Sequence, residues 1–328
     1  MTDAWPLGVI ANPAAGKDIR RLTAYADVVT NTAKRSMLVR ALLGAAQAGA
    51  GEVLYLHDAA NLAASAVDAA GLTGRAVDIG IRSLGPSDTA AAARVFRDLG
   101  VGAVLVLGGD GTSRVTVCGW PDVPIVALST GTNNAFPDWI EPTVAGVACG
   151  LVVSRALALG EVAERSKIVR VSIEGEADDL ALVDAVLLDG SFVGAKALTD
   201  IESLRACVLA FADPTAMGMS GIGGLTLPTG RDEDIGVALR FDPDATERVR
   251  GPFAPGRYEL VPIAEARFLP LGRPVRWTGP GLIALDGERE RVLRGGRSAM
   301  VSVERTGPFV IDVRYALRLA GERRLLRG

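Results

Sequence analysis

A chain of 328 residues is long enough for two domains with separate cores, and 49% hydrophobic with 22% charged residues places it among globular proteins. A net charge of −3, only 5% aromatic residues and no dense Lys/Arg block before the C-terminal tail exclude nucleic acid as the main partner. The single histidine, His57, excludes a histidine-ligated metal cluster and leaves a Ser-His-Asp or Cys-His site with no nucleophile motif to support it.

Leu7 to Ala11 predicts a short apolar strand running into Asn12-Pro13-Ala14-Ala15-Gly16-Lys17. That turn suits a phosphate-side loop or a plain Asn-Pro turn equally, and with Asp18 after Lys17 it is not a Walker A loop. The basic residues Arg20, Arg21, Lys34 and Arg35 suit a solvated helix surface, or a Lys34-Arg35-Ser36 patch facing phosphates. Met37 to Ala50 predicts a helix, Glu52 to Leu56 a strand ahead of His57, Ala59 to Ala70 a helix and Ala76 to Ile81 a strand. Asp88 is the expected cap of a helix over Thr89 to Leu99.

Val104 to Leu107 then forms a buried strand that runs straight into Gly108-Gly109-Asp110-Gly111-Thr112, with a short helix expected over Ser113 to Cys118. Glycines there let a phosphate approach main-chain N–H groups. Asp110 brings a carboxylate, and Thr112 a hydroxyl, to a strand's C-terminal end, where open α/β sheets bind ligands. Read alone, the segment also suits a tight turn with a helix cap. A second strand, Pro124 to Leu128, ends in a second polar loop, Ser129-Thr130-Gly131-Thr132-Asn133-Asn134, whose hydroxyls and amides suit a ribose, a base edge or phosphate oxygens. Two such loops at neighbouring strand ends favour a ligand site over chance.

Thr143 to Leu159 predicts a long apolar helix that tolerates Gly146 and Gly150. Continuous apolar strands alternating with helices predict an α/β N-terminal domain with a parallel sheet, over residues 1–160. Ile168 to Ile173 and Ala181 to Leu188 predict strands, and after Gly218 short apolar segments between Gly and Pro turns predict a mostly antiparallel domain over residues 161–310. Met217 to Gly224 reads as a mobile loop, either a connector or a substrate lid. Asp286-Gly287 reads first as a simple hairpin turn between apolar strands. The basic helix Val313 to Leu326, within residues 311–328, packs back on the first domain or stands as a charged tail.

Cys118, Cys149 and Cys207 fit no metal or redox spacing, which suggests buried thiols and a reducing, cytoplasmic setting. No signal-like N-terminus and no apolar run of about 20 residues are present, so no membrane span is expected.

Asn12-Pro13-x-x-Gly16, Gly108-Gly109-Asp110-Gly111-Thr112, Gly131-Thr132-Asn133-Asn134 and Asp286-Gly287-Glu288, in that order, resemble the NAD kinase and diacylglycerol kinase-like superfamily. The wording of Ala127 to Pro137, Phe192-Val193-Gly194-Ala195-Lys196 and Leu285 to Arg289 is most similar to the ATP-NAD kinase-like group that includes acetoin catabolism protein X. The resemblance implies an N-terminal nucleotide domain, a β-sandwich-like C-terminal domain, and phosphoryl transfer from ATP to a hydroxyl with Mg2+ or Mn2+. It implies Asp110 at the acceptor hydroxyl or metal, and Gly108, Gly109, Gly111 and Thr112 along the triphosphate. Asn12 and the loop Thr130, Gly131, Thr132, Asn133 and Asn134 would make nucleotide contacts, with Asp286 and Glu288 reaching the metal or the reacting hydroxyl. The acceptor that the resemblance implies is a small molecule or a nucleotide or dinucleotide such as NAD, although no acidic residue follows Asn134 as in the pair that grips NAD. The alternatives are a lipid kinase of the same fold and a non-catalytic nucleotide-binding regulator. Superfamily members often self-associate, so a homo-oligomer is a possible state.

Overall fold

The computed structural model describes residues 4–16, 28–80, 83, 85–131, 134–190 and 201–327. Expectations placed on Lys17, Arg20, Arg21, Ile81, Thr132, Asn133 and Phe192 to Lys196 lie outside the described residues. The first half runs β1 (Leu7–Ala11), α1 (Asn31–Gln47), β2 (Glu52–Tyr55), α2 (Leu62–Ala70), β3 (Thr73–Ala76), α3 (Pro86–Asp98), β4 (Ala103–Gly108), α4 (Asp110–Gly119), β5 (Pro124–Ser129), α5 (Pro142–Val153), α6 (Leu159–Val162) and β6 (Ala163–Arg165). Strands β3, β2, β1, β4 and β5 pair in parallel in that spatial order.

Strand β4 explains why its sequence is continuously apolar. Val104 and Val106 enter one hydrophobic cluster while Leu105 and Leu107 enter another, so helices or the second half of the chain cover both faces of the sheet. Helix α1 begins at Asn31 rather than Met37 because Thr30 caps it, its hydroxyl accepting from Ala33 N–H at 3.2 Å. Asp88 is not the cap of α3. It lies in the first turn, where its carboxylate accepts from Ser83 N–H and Oγ. Helix α5 stops at Val153 rather than Leu159, and Arg155, at φ 63°, turns the chain out of it. Cys149 lies buried in α5, where burial pushes its thiol up to about 12; Cys207 is buried as well, but Cys118 is exposed, against expectation.

The second half runs β7 (Ile168–Ile173), β8 (Asp179–Ala181), β9 (Asp184–Leu188), β10 (Leu204–Leu209), α7 (Gly218–Thr226), β11 (Ile235–Phe241), β12 (Arg248–Ala254), β13 (Arg257–Pro270), β14 (Val275–Thr278), β15 (Gly281–Leu285), β16 (Glu288–Leu293) and β17 (Ser298–Glu304). These strands form two antiparallel sheets, one ordered β12-β13-β11-β10-β9-β15-β16 and one ordered β14-β17-β7-β8. Leu187, Val208 and Ile283 of the first share a cluster with Val169, Val171 and Val301 of the second, which is the interior of a β-sandwich. The same cluster continues into Val104, Val106 and Val117, so one core cluster spans the two halves. The run from Ala181 to Leu188 is not one strand: β8 and β9 belong to different sheets.

The chain then returns to the parallel sheet. β18 (Phe309–Ile311) pairs in parallel with β5 and antiparallel with β6. α8 (Val313–Glu322) follows, and Ala316 and Ala320 pack in the same cluster as Leu151 and Val152 of α5. No helix among the described residues is long and apolar enough to cross a membrane.

The expected loop over Met217 to Gly224 is instead helix α7, with Met219 to Gly224 buried. Its glycines serve close packing: a methyl group on Gly221 would lie 2.2 Å from Ala216 O, and one on Gly224 would lie 2.2 Å from Pro214 N. The glycine content that reads as mobility here marks backbone approaching backbone.

Candidate functional site

Strands β1, β4 and β5 end side by side, and the loops that leave them interlock. Asn12 Nδ2 donates to Thr112 Oγ1 at 2.9 Å, tying the first loop to the second. Thr130 N–H donates to Gly108 O at 3.2 Å, tying the third loop to the second. Asn134 Nδ2 donates to Ser129 Oγ at 2.9 Å and closes the third loop on itself. Two positions of the second loop have no room for a side chain: a methyl group on Gly108 would lie 2.6 Å from Thr112, and one on Gly109 would lie 2.7 Å from Asn134 Oδ1.

Asp110 is the first residue of α4 rather than part of a loop ahead of it. Its carboxylate accepts from Ala135 N–H at 3.1 Å and from Phe136 N–H at 2.8 Å. An acidic side chain in the first turn also matches the positive end of the helix dipole.

The first loop is braced from below. Lys34 is fully buried, and its Nζ donates to Asn12 O at 3.3 Å, Pro13 O at 2.8 Å and Ala15 O at 2.7 Å. Arg35 turns to Ser65 on α2. The expected phosphate-facing patch is therefore spent on structure. Lys34→Met would leave those carbonyls without their donor, at a cost of about 1–3 kcal/mol for each polar group left unsatisfied. The expected outcome is a lower urea midpoint; an unchanged midpoint would show that the loop does not depend on the ammonium.

The second half supplies the opposite wall. Asp286 and Gly287 form the turn between β15 and β16 with φ of 48° and 80°, the left-handed pair that an Asp-Gly hairpin turn adopts. The simple-turn reading is therefore correct as far as it goes. The turn also carries Asp286 inward: its carboxylate is buried and accepts from Leu182 N–H at 2.9 Å and Val183 N–H at 2.8 Å. Burial first, and the charge of Asp110 second, push Asp286 up to about 7, against the opposing pull of those amides and of Arg114. On the same turn Glu288 reaches toward the glycine loop, with Oε1 3.5 Å from where a methyl group on Gly111 would sit. Asp110, Asp286 and Glu288 thus gather from the two halves of the chain.

The raised acid fixes a pH trend. Asp286 keeps its proton to about 7 when folded but loses it near 3.8 when unfolded. The folded state therefore binds more protons in that window, and stability falls as pH rises from about 4 to 7. Asp286→Asn, which mimics the protonated acid, is expected to flatten this part of the urea-stability profile. An unchanged slope would contradict the shift.

Two arginines that the sequence reading passed over join the halves. Arg114, one turn after Asp110 on α4, is buried and donates to Leu180 O at 2.5 Å and Asp179 Oδ1 at 2.7 Å. Its i,i+4 spacing from Asp110 was the available signal. Arg231 donates to Phe136 O at 3.0 Å and to Ala135 O. It sits in Thr229-Gly230-Arg231-Asp232-Glu233-Asp234, a stretch the sequence reading did not single out.

Residues 7–154 match the model of the ATP-NAD kinase N-terminal domain, and residues 167–306 match that of the acetoin catabolism protein X C-terminal domain. The chain is 36% identical over 338 residues to acetoin catabolism protein X of Cupriavidus necator, covering 98% of this chain and 94% of that protein. An interlocked glycine loop on a parallel sheet, faced by an acidic hairpin turn from a β-sandwich, is the architecture that these matches span from end to end. The chain belongs to the acetoin catabolism protein X family, with an ATP-NAD kinase-type N-terminal domain.

Proposed function

We propose that this protein is an ATP-dependent phosphotransferase that moves the terminal phosphoryl group of ATP to a hydroxyl of a small molecule or a dinucleotide such as NAD. The observation that carries the reading is the placing of Asp110. It stands at the N-terminus of α4, beside a loop whose glycines leave the backbone bare, and its carboxylate is oriented by Ala135 and Phe136. Phosphoryl transfer asks a protein mainly for positioning and charge neutralisation. Gly108, Gly109, Gly111 and Thr112 would receive the triphosphate at the positive end of the helix. Asn12, Thr130, Gly131 and Asn134 would complete the nucleotide contacts, with Thr132 and Asn133 in the same loop. Asp110 would accept the acceptor's hydroxyl proton; that proton leaves late in a loose transition state, so a weak base suffices.

Among the described residues no three acidic, histidine or cysteine side chains form a cation cage. Mg2+ usually takes one or two carboxylates together with substrate phosphates; Glu288 would be one, and Asp286, whose oxygens accept from Leu182 and Val183 N–H, would have to give up its proton to be the second. When bound there, Mg2+ or Mn2+ would neutralise charge on the transferring phosphoryl oxygens.

A coupled ADP-release screen tests the reading, with ATP and Mg2+ or Mn2+ against NAD, NADH, nucleosides, small polyols and dispersed lipid. Acceptor-dependent release is expected with a soluble hydroxyl compound. Release only with dispersed lipid would make the protein a lipid kinase, and ATP binding without release on any acceptor would make it a nucleotide-binding regulator.

A further inference from the structure

Asp110 is only as well placed as the segment that donates to it. Residues 134–138 after β5 have little regular structure of their own, yet Ala135 and Phe136 are held from both sides. Their N–H groups donate to Asp110, and their carbonyls accept from Arg231 of the second half. One peptide group links the two charges directly: Arg231 Nη2 donates to Ala135 O, and the N–H of that same peptide, Phe136 N–H, donates to Asp110 Oδ1 at 2.8 Å. A cation on the carbonyl polarises the peptide and strengthens its N–H as a donor to the carboxylate.

Arg231 is itself held. Its guanidinium lies 4.6 Å from the centroid of Phe211 and 5.8 Å from that of Phe136. The turn it rides on is braced by two more cations. Lys167, buried at 1% exposure, donates from Nζ to Gly230 O at 2.8 Å and Ile235 O at 2.6 Å. Arg305 donates to Asp234 Oδ1 at 2.6 Å, Asp232 O at 2.8 Å and Arg231 O at 3.3 Å. The second half thus reaches the base of the first through three successive contacts: a braced turn, a fork on two carbonyls, and two amides on a carboxylate.

We propose that Arg231 is a positioning residue which, by holding the carbonyls of Ala135 and Phe136, fixes the two amides that orient Asp110 and so couples the β-sandwich to the reacting carboxylate. This rests on the phosphotransferase reading for its rate arm and on geometry alone for its exchange arm. Arg231→Met is expected to lower kcat about 10- to 100-fold, as sub-ångström to ångström misplacement of a reacting group does, with KM for ATP unchanged. Arg231→Lys, which keeps the charge but not the fork, is expected to recover part of the loss. Combined with Asp110→Asn, Arg231→Met is expected to add nothing further, because it acts through Asp110.

Amide exchange of residues 134–138, read by mass spectrometry on the full chain, is expected to quicken at least tenfold in Arg231→Met. If that variant does not fold, Arg231→Lys carries the same measurement, with a smaller expected increase. Unchanged exchange would overturn the proposal. So would a kcat loss that multiplies in the Asp110→Asn background, or a raised KM for ATP at unchanged kcat, which would make Arg231 a direct phosphate ligand. If the wild type shows no turnover on any acceptor, the phosphotransferase reading fails, and the exchange result still decides whether Arg231 holds the amides.

Discussion

Asp110→Asn is expected to lower kcat by about 10²–10⁴, the range that a positioned general base contributes, while leaving the urea midpoint close to that of the wild type. The substitution keeps one carbonyl oxygen to accept from Phe136 N–H, so the segment after β5 retains its main anchor at Asp110 Oδ1. It removes the charge and the basicity. It also removes the like charge that helps to raise Asp286, so Asp286 should titrate lower in the variant. ATP binding is expected to survive, because the backbone of the glycine loop does not depend on the carboxylate. A variant with undiminished kcat would remove Asp110 from the chemistry. A variant that loses ATP binding together with turnover would make it a binding residue instead.

The second large effect lies away from the site. Gly146→Val is expected to destabilise the protein by about 3 kcal/mol or more, beyond the usual 1–3 kcal/mol of overpacking, out of a total of about 5–15 kcal/mol for a typical domain. Helices α1 and α5 meet backbone to backbone. A methyl group on Gly146 would lie 1.8 Å from Ala41 O, one on Gly44 2.1 Å from Thr143 O, and one on Gly150 2.4 Å from Ala45 O. The obstructing atoms are carbonyls within helices, which no rotamer change can move aside. Intrinsic propensity points the other way, since a glycine in a helix interior costs about 1 kcal/mol against alanine. The sign of the change therefore decides which effect wins. Gly321→Ala in α8 is the control: nothing lies within 4 Å of the added methyl, and a small gain in stability is expected. Pushing α1 away from α5 would also shift Lys34, and with it the first loop of the site. A Gly146→Val protein with the wild-type urea midpoint would contradict the close contact.

Much of the N-terminal half was legible because burial on both faces of a parallel sheet leaves a plain mark. Leu7 to Ala11 is β1 to the residue, and the apolar run before Gly108 is β4, extended by one residue at each end. The glycines of the second loop were legible as a turn, but the sequence reading gave them to an approaching phosphate, whereas at Gly108 and Gly109 the atoms that exclude a side chain are those of Thr112 and Asn134. The same sign misled at α7, where glycines that pack a buried helix read as a loose one. Periodicity gave no help there, since a helix half made of glycine has few side chains to count. The run from Ala181 to Leu188 hid a change of sheet, because the residues that pass from β8 to β9, Ala181 to Val183, are as buried and apolar as the strand that follows.

Asp286 shows that a structural reading and a functional one need not compete. Asp-Gly forms the hairpin turn, and the same turn brings a buried carboxylate within electrostatic reach of Asp110. Arg231 was illegible for a different reason. Its partners are backbone carbonyls of a segment about a hundred residues away, and a carbonyl has no letter in the sequence. What orients the carboxylates of the candidate site is largely main chain: amides from 135 and 136 on Asp110, and amides from 182 and 183 on Asp286.

The most direct test of the central claim follows the terminal phosphoryl group itself. ATP radiolabelled at its γ-phosphate is incubated with Mg2+, the acceptor panel and either wild-type protein or Asp110→Asn, and label is sought in an acceptor phosphoester. Label is expected in a soluble hydroxyl acceptor with the wild type, and is expected nearly to disappear with the variant although ATP still binds. Equal labelling by the two proteins would contradict the role of Asp110; bound ATP with no label passed to any acceptor would contradict the phosphotransferase itself.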